Sequence, residues 1–205
     1  MLKSRRHRGF TLIEITVSLA ILALMVLVSL PSMTTYFQNS KISTAAQAYA
    51  TGLQVARTEA IRRNTPVQFV LTDTPIALGV VNAAVPSPTG RNWVVREWDP
   101  ELATFTLVEA KSALEGSGQI AGSVPTVAVT GSAVLPAAAF DGIVTFNAFG
   151  ATLTASEIRL DIDNQAGGAC APAGTMRCLR VRTSPGGQVR VCDPQLPTSD
   201  SRSCL

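Results

Sequence analysis

Between Phe10 and Leu30 the only charged side chain is Glu14, and the next charge in the chain is Lys41. An apolar run of that length reaches the roughly 20 residues a helix needs to cross the hydrocarbon core of a bilayer. Beyond it the pattern changes. Ile42, Ala45, Ala46, Tyr49, Leu53, Ala56, Ala60 and Ile61 recur at three- and four-residue spacing, while Lys41, Gln47, Gln54 and Arg57 lie elsewhere around the helix. This predicts an amphipathic helix that packs one face on its own domain. Pro31 removes an internal hydrogen bond, so a bent helix that continues is expected. Arg62 and Arg63 suit a helix C-terminus, and Thr65-Pro66 ends it. The prediction is one helix from Phe10 to about Arg63, apolar over 10–30 and amphipathic over 31–63, about 80 Å long at 1.5 Å per residue.

After Pro66 the period shortens. Val67 to Leu71, Trp93 to Trp98, Thr104 to Val108, Ile143 to Phe146 and Glu157 to Ile162 are short and rich in β-branched and aromatic residues, with Gly, Pro, Asn and Ser between them. They read as antiparallel strands. Residues 112–139, rich in Ala, Gly, Ser and Val, lack a clear period and predict a long loop with one or two weak strands. Arg177 to Thr183 and Gln188 to Cys192 flank Ser184-Pro185-Gly186-Gly187, the signature of a hairpin. Residues 64–205 are enough for one compact domain. The fold class is therefore α+β, a long N-terminal helix packed on a mainly antiparallel sheet domain.

Glu14 is the anomaly of the apolar run, because a carboxylate in hydrocarbon is costly and implies a specific partner. The residues leave three readings. A secretory signal peptide has an apolar core of about 7–15 residues, shorter than this run. A plain membrane anchor explains the length but not the acid. In the third reading a peptidase cuts after Gly9, so that Phe10 carries a new α-amino group four residues from Glu14. An ammonium and a carboxylate meeting in a low-dielectric environment each supply the partner the other lacks.

Gly9-Phe10-Thr11-Leu12-Ile13-Glu14, behind a basic leader and ahead of an apolar helix, resembles the prepilin cleavage motif of type IV pilins and type II secretion pseudopilins. The resemblance implies cleavage between Gly9 and Phe10 by prepilin peptidase, usually with N-methylation of Phe10. It also implies that Glu14 pairs with the N-terminus of a neighbouring subunit. Pro31 sits where many such helices carry a proline. Residues 1–9 are then a leader, held on the cytoplasmic side by its Lys and Arg. The head would reside in the periplasm until the subunit leaves the inner membrane for the fibre.

Cleavage changes the composition. The leader holds Lys3, Arg5, Arg6 and Arg8, so its loss takes the basic residues from 17 to 13 against 14 acids, a formal charge of −1 instead of +3. Global basicity then says nothing about nucleic acid. His7, the only histidine, leaves with the leader. That removes Ser-His-Asp and Cys-His catalysis and His-containing zinc sites, and neither a cofactor nor an enzymatic role is expected. The cluster Asp161-Ile162-Asp163-Asn164 falls short of the six to eight oxygens calcium takes, so no metal is expected. Cys170, Cys178, Cys192 and Cys204 predict two structural disulfides in an oxidising compartment. We expect sequential pairing, Cys170 with Cys178 and Cys192 with Cys204; sequence leaves the other two pairings open.

In the hairpin, Leu179 and Val181 share one face of the first strand, and Val189 and Val191 one face of the second. If these face the core, Arg180, Arg182 and Arg190 line the opposite face. Matching the faces requires a loop of three or five residues, which sets Arg182 across from Arg190. Like charges so placed destabilise the pair, which would make sense if an anion such as double-stranded DNA visits. The bland alternative is a solvated face, or one paired with acids of this or a neighbouring subunit. Helix, head and Cys-bounded tail together resemble the FimT/GspH group of minor pilins and pseudopilins. Some members linked to natural transformation carry a Gly-Arg-x-Arg motif here that is implicated in DNA binding. Gly187 and Arg190 match it, and Gln188 replaces the first arginine. The expectation is a non-enzymatic minor pilin of a type IV pilus, priming or capping the fibre near its tip among other major and minor pilins. A minor pseudopilin of type II secretion is the alternative.

Overall fold

In the computed structural model the described residues are 10–76, 81–112, 127–134, 140–164 and 167–204, with the side chains of 27–32 also outside the description. The chain divides into two compact units, one ending at Phe37 and one from Gln38 to Leu205. A single helix, α1, runs from Leu12 to Arg63 and continues through position 31. Thr11 caps its start: the Thr11 hydroxyl and carbonyl both accept from the Glu14 N–H, at 3.3 and 3.1 Å. Asn64, in the left-handed region at φ 55°, ends it, with its N–H on the Ile61 carbonyl.

In the second unit α1 buries Ile42, Ala46, Tyr49, Ala50, Leu53, Ala56 and Ala60. This is nearly the face read from spacing, except that Ala50 joins it and Ile61 is about half exposed. Small residues dominate because the sheet presses close. A Cβ on Gly52 would lie 2.8 Å from the Phe69 ring and 3.0 Å from Trp93, so only glycine lets that aromatic pair rest on the helix. At the end of α1, Glu59 accepts from Arg62 and Arg63, and Arg63 also reaches Glu97.

The strands form two antiparallel sheets of four. The first comprises β1 (Val67–Thr72), β2 (Asn92–Asp99), β3 (Thr104–Lys111) and β5 (Ile143–Phe146), ordered β3-β2-β1-β5. The second comprises β4 (Val127–Ala133), β6 (Ile158–Asn164), β7 (Leu179–Thr183) and β8 (Val189–Cys192), ordered β4-β6-β7-β8. Val67, Phe69, Leu71, Trp93, Val95, Val144 and Phe146 of the first, with Ile158, Leu160, Ile162 and Val181 of the second, join the helix in one core. Each fully buried large apolar side chain in it contributes about 1.5–3 kcal/mol. β4 is the one strand described in the weak stretch 112–139; residues 113–126 and 135–139 lie outside the description. The disulfides are Cys170–Cys178 and Cys192–Cys204, and no cysteine is free.

Candidate functional site

Two features carry the sequence-predicted sites. The first is the start of α1. Phe10, Leu12, Ile13, Ile15, Val17, Leu19, Ile21, Leu22, Leu24, Met25 and Val26 are all at least 48% exposed. A helix apolar on nearly every side and uncovered by the other described residues requires an apolar surrounding. Its hydroxyls do not spoil that surface, because Thr16 donates to the Ile13 carbonyl at 2.9 Å and Ser18 to the Glu14 carbonyl at 2.7 Å. Among the described side chains no helical stretch is long and apolar enough to cross a membrane; positions 27–32 of the apolar run fall outside them. Glu14 lies in the first helical turn, where the helix dipole favours a negative charge. Thr11, three residues before it, completes half of a capping box, a Thr-x-x-Glu signal that was present in the sequence but overlooked there. Gly9 lies outside the described residues.

The second feature is the outer face of the β6-β7-β8 sheet. Thr183 pairs with Val189, so residues 184–188 form a five-residue loop and Arg182 stands directly across from Arg190. Across the other edge of β7, Arg182 faces Arg159 of β6. Three arginines thus stand in one row across three strands. Arg159 escaped the sequence reading, although the alternation Glu157-Ile158-Arg159-Leu160-Asp161 already placed charges on the face opposite the core.

The like charges are compensated in part inside the chain. Glu157 is caught between Arg159, at 2.7 Å, and Arg182. Burial opposes its charge, but the hydrogen bonds from Arg182 and Arg159 outweigh that and hold its carboxyl below the usual range. Arg180 pairs with Asp161 at 2.6 Å, and Arg190 donates to the Ser201 carbonyl. Arg177 pairs with Asp193 and Arg202 with Asp200, each at 2.8 Å. Every arginine between Cys170 and Leu205 therefore has an acid or a carbonyl as partner. Glu157 thus relieves the like-charge repulsion between Arg159 and Arg182, while Arg190, bonded to the neutral Ser201 carbonyl, keeps its charge. The Asp161–Asn164 run diverges likewise, Asp161 turning to Arg180 and Asn164 to Gln38.

Gly187 has a structural duty. Its φ is +76°, and a Cβ there would fall inside the van der Waals shell of the Gly150 carbonyl oxygen, which also accepts from Arg57 Nε at 3.1 Å. The hairpin turn is further joined to the same loop by the Thr152 N–H on the Pro185 carbonyl at 2.9 Å.

The family model described as Type II transport protein GspH matches residues 45–187, most of the chain. The chain belongs to the GspH family. A second match, the prokaryotic N-terminal methylation motif, covers residues 4–30 and implies processing by prepilin peptidase and assembly with other pilins. Among solved structures this GspH-family chain is similar to the type IV minor pilin FimU of Pseudomonas aeruginosa, with a TM-score of 0.50 and 14% identity over 83% of this chain and 99% of that one. The minor pseudopilin EpsH from the Type 2 Secretion System of Vibrio cholerae has a TM-score of 0.45 and 13% identity over 76% and 99%. At such identity the FimU likeness is one of fold, a pilin-like N-terminal helix packed on antiparallel sheets. No curated protein matches the chain significantly.

Proposed function

We propose that the chain is a non-enzymatic minor pilin of a type IV pilus, held in the inner membrane by residues 10–30 and then drawn into the fibre, where it helps prime or cap the tip. The observation that carries this reading is the exposure of every large apolar side chain between Phe10 and Val26 around a helix whose one acid, Glu14, stands at its start. Such a surface is covered first by lipid and then by neighbouring helices, and a free α-amino group on Phe10 gives Glu14 a partner. Double-stranded DNA has no supporting observation: Arg180 and Arg182 pair with Asp161 and Glu157, and Arg190 donates to the Ser201 carbonyl. A second reading, a minor pseudopilin of a type II secretion system, is favoured by the description of the matching family.

The test is Glu14→Ala. The variant is expected to be cleaved normally and to remain in the membrane, with its incorporation into sheared pili reduced at least about tenfold, the equivalent of 1.4 kcal/mol of lost pairing. Incorporation at the wild-type level would remove the assembly role. A deletion strain that keeps its pili while exported proteins accumulate in the periplasm would assign the chain to secretion instead.

A further inference from the structure

We propose that the β2–β3 turn of one copy docks into the cleft between α1 and β8 of a second copy. The turn is preorganised. Asp99 Oδ1 accepts the N–H groups of Glu101 and Leu102 at 2.9 and 3.1 Å, and Ala103 sits in the left-handed region at φ 48°. Locked in this way, the turn presents Leu102, 68% exposed, beside Glu101, whose carboxylate has no partner among the described residues. Behind them Trp98, half exposed, packs edge-on against Phe105. From Asp99 to Ala103 there are two acids and no base.

The cleft has the opposite character. It encloses about 280 Å³, with Leu179 and Val191 offering apolar surface and Asn39 and Gln47 of α1 offering uncharged hydrogen-bonding groups. Two guanidiniums complete the lining, Arg177 and Arg202, with side chains 52% and 62% exposed. Its one acid, Asp193, is buried against Arg177. Among the described residues the Arg202 guanidinium pairs with Asp200, an exposed pair of the kind worth little in water and readily exchanged for another carboxylate. A carboxylate next to an aliphatic side chain is the chemistry this lining takes: Leu102 on Leu179 and Val191, Glu101 on Arg202.

Turn and cleft are different surfaces of one molecule, so the contact is heterologous and repeats from copy to copy. Their opposite charges give it register and favour encounter. This rests on reading the chain as a filament subunit and adds that it can occupy consecutive positions. The test is sedimentation of the processed chain, residues 10–205, in detergent at low and high salt. Wild type is expected to self-associate, more weakly at high salt, while E101R and R202E each associate about tenfold more weakly. The double variant E101R/R202E, which restores the pair with its signs exchanged, regains association. Leu102→Ser, at an exposed turn, weakens association without lowering the unfolding midpoint. A monomeric wild type, single variants that associate normally, or a double variant that does not recover would each overturn the contact. Incorporation of wild type into pili, measured separately, would leave the subunit reading standing if the contact fails.

Discussion

Single residues were the least legible in the sequence. Gly187 stood out there because it matches one position of a motif, and nothing in its neighbours told that its missing side chain makes room for a carbonyl 37 positions away, at Gly150. Gly187→Ala combines left-handed backbone strain of about 1–2 kcal/mol with a displaced contact, so it should destabilise the head by roughly 2–4 kcal/mol in chemical unfolding. A midpoint equal to wild type would show that the turn yields without cost. Asp163 was weighed only as a cation ligand. Its Oδ1 is buried with no partner among the described residues, and burial, then the charge of Asp161, raises its pKa. The folded state therefore holds the Asp163 proton more tightly than the unfolded chain, and stability falls as pH rises through that window. Asp163→Asn should then gain about 0.5–1 kcal/mol at neutral pH, with the gain vanishing in acid below the ordinary aspartate range. A pH-independent difference between the two proteins would contradict this account.

At the scale of elements most of the fold could be read. The helix end at Arg63 and the strand Ile143–Phe146 coincide with their predicted limits, and the other predicted strands differ by a few residues at their ends. These segments announce themselves because burial on one face imposes its own period. β4 does not: Ala128, Gly131 and Ser132 are poor strand formers, and the segment is ordered by pairing with β6 from Val127 on Asn164 to Ala133 on Ile158. Division into two sheets was equally hidden, since alternation states which face is buried but not which strand lies alongside. The tail gains its place in the same way. Cys192–Cys204 holds it along the free edge of β8, where the Asp193 N–H donates to the Arg202 carbonyl at 2.8 Å and Asp193 bridges Ser203. Replacing both cysteines by serine should cost about 2–3 kcal/mol and open that edge, seen as faster amide exchange at Asp193. Unchanged exchange there would mean that the tail holds without its disulfide.

At the scale of the whole molecule the decisive event is the proposed cut after Gly9, which would change both charge and surroundings. The full sequence is formally +3 and the chain from Phe10 is −1, because four of 17 bases leave with the leader while all 14 acids remain. N-methylation leaves the new amine cationic, and disulfide formation at Cys170, Cys178, Cys192 and Cys204 removes no side-chain charge at neutral pH. The sign of the net charge therefore reports processing alone. On the β6-β7-β8 face Glu157 and Asp161 neutralise only part of the charge of Arg159, Arg180, Arg182 and Arg190, and alternation along the strands placed these arginines on one face without showing which acids stand beside them. On isoelectric focusing the processed protein should settle below pH 7 and the Gly9→Leu variant, which blocks cleavage, above it. A processed form that focuses in the basic range would place the cut upstream of Arg8, and a Gly9→Leu protein that focuses with the wild type would show that Gly9 is not required for it.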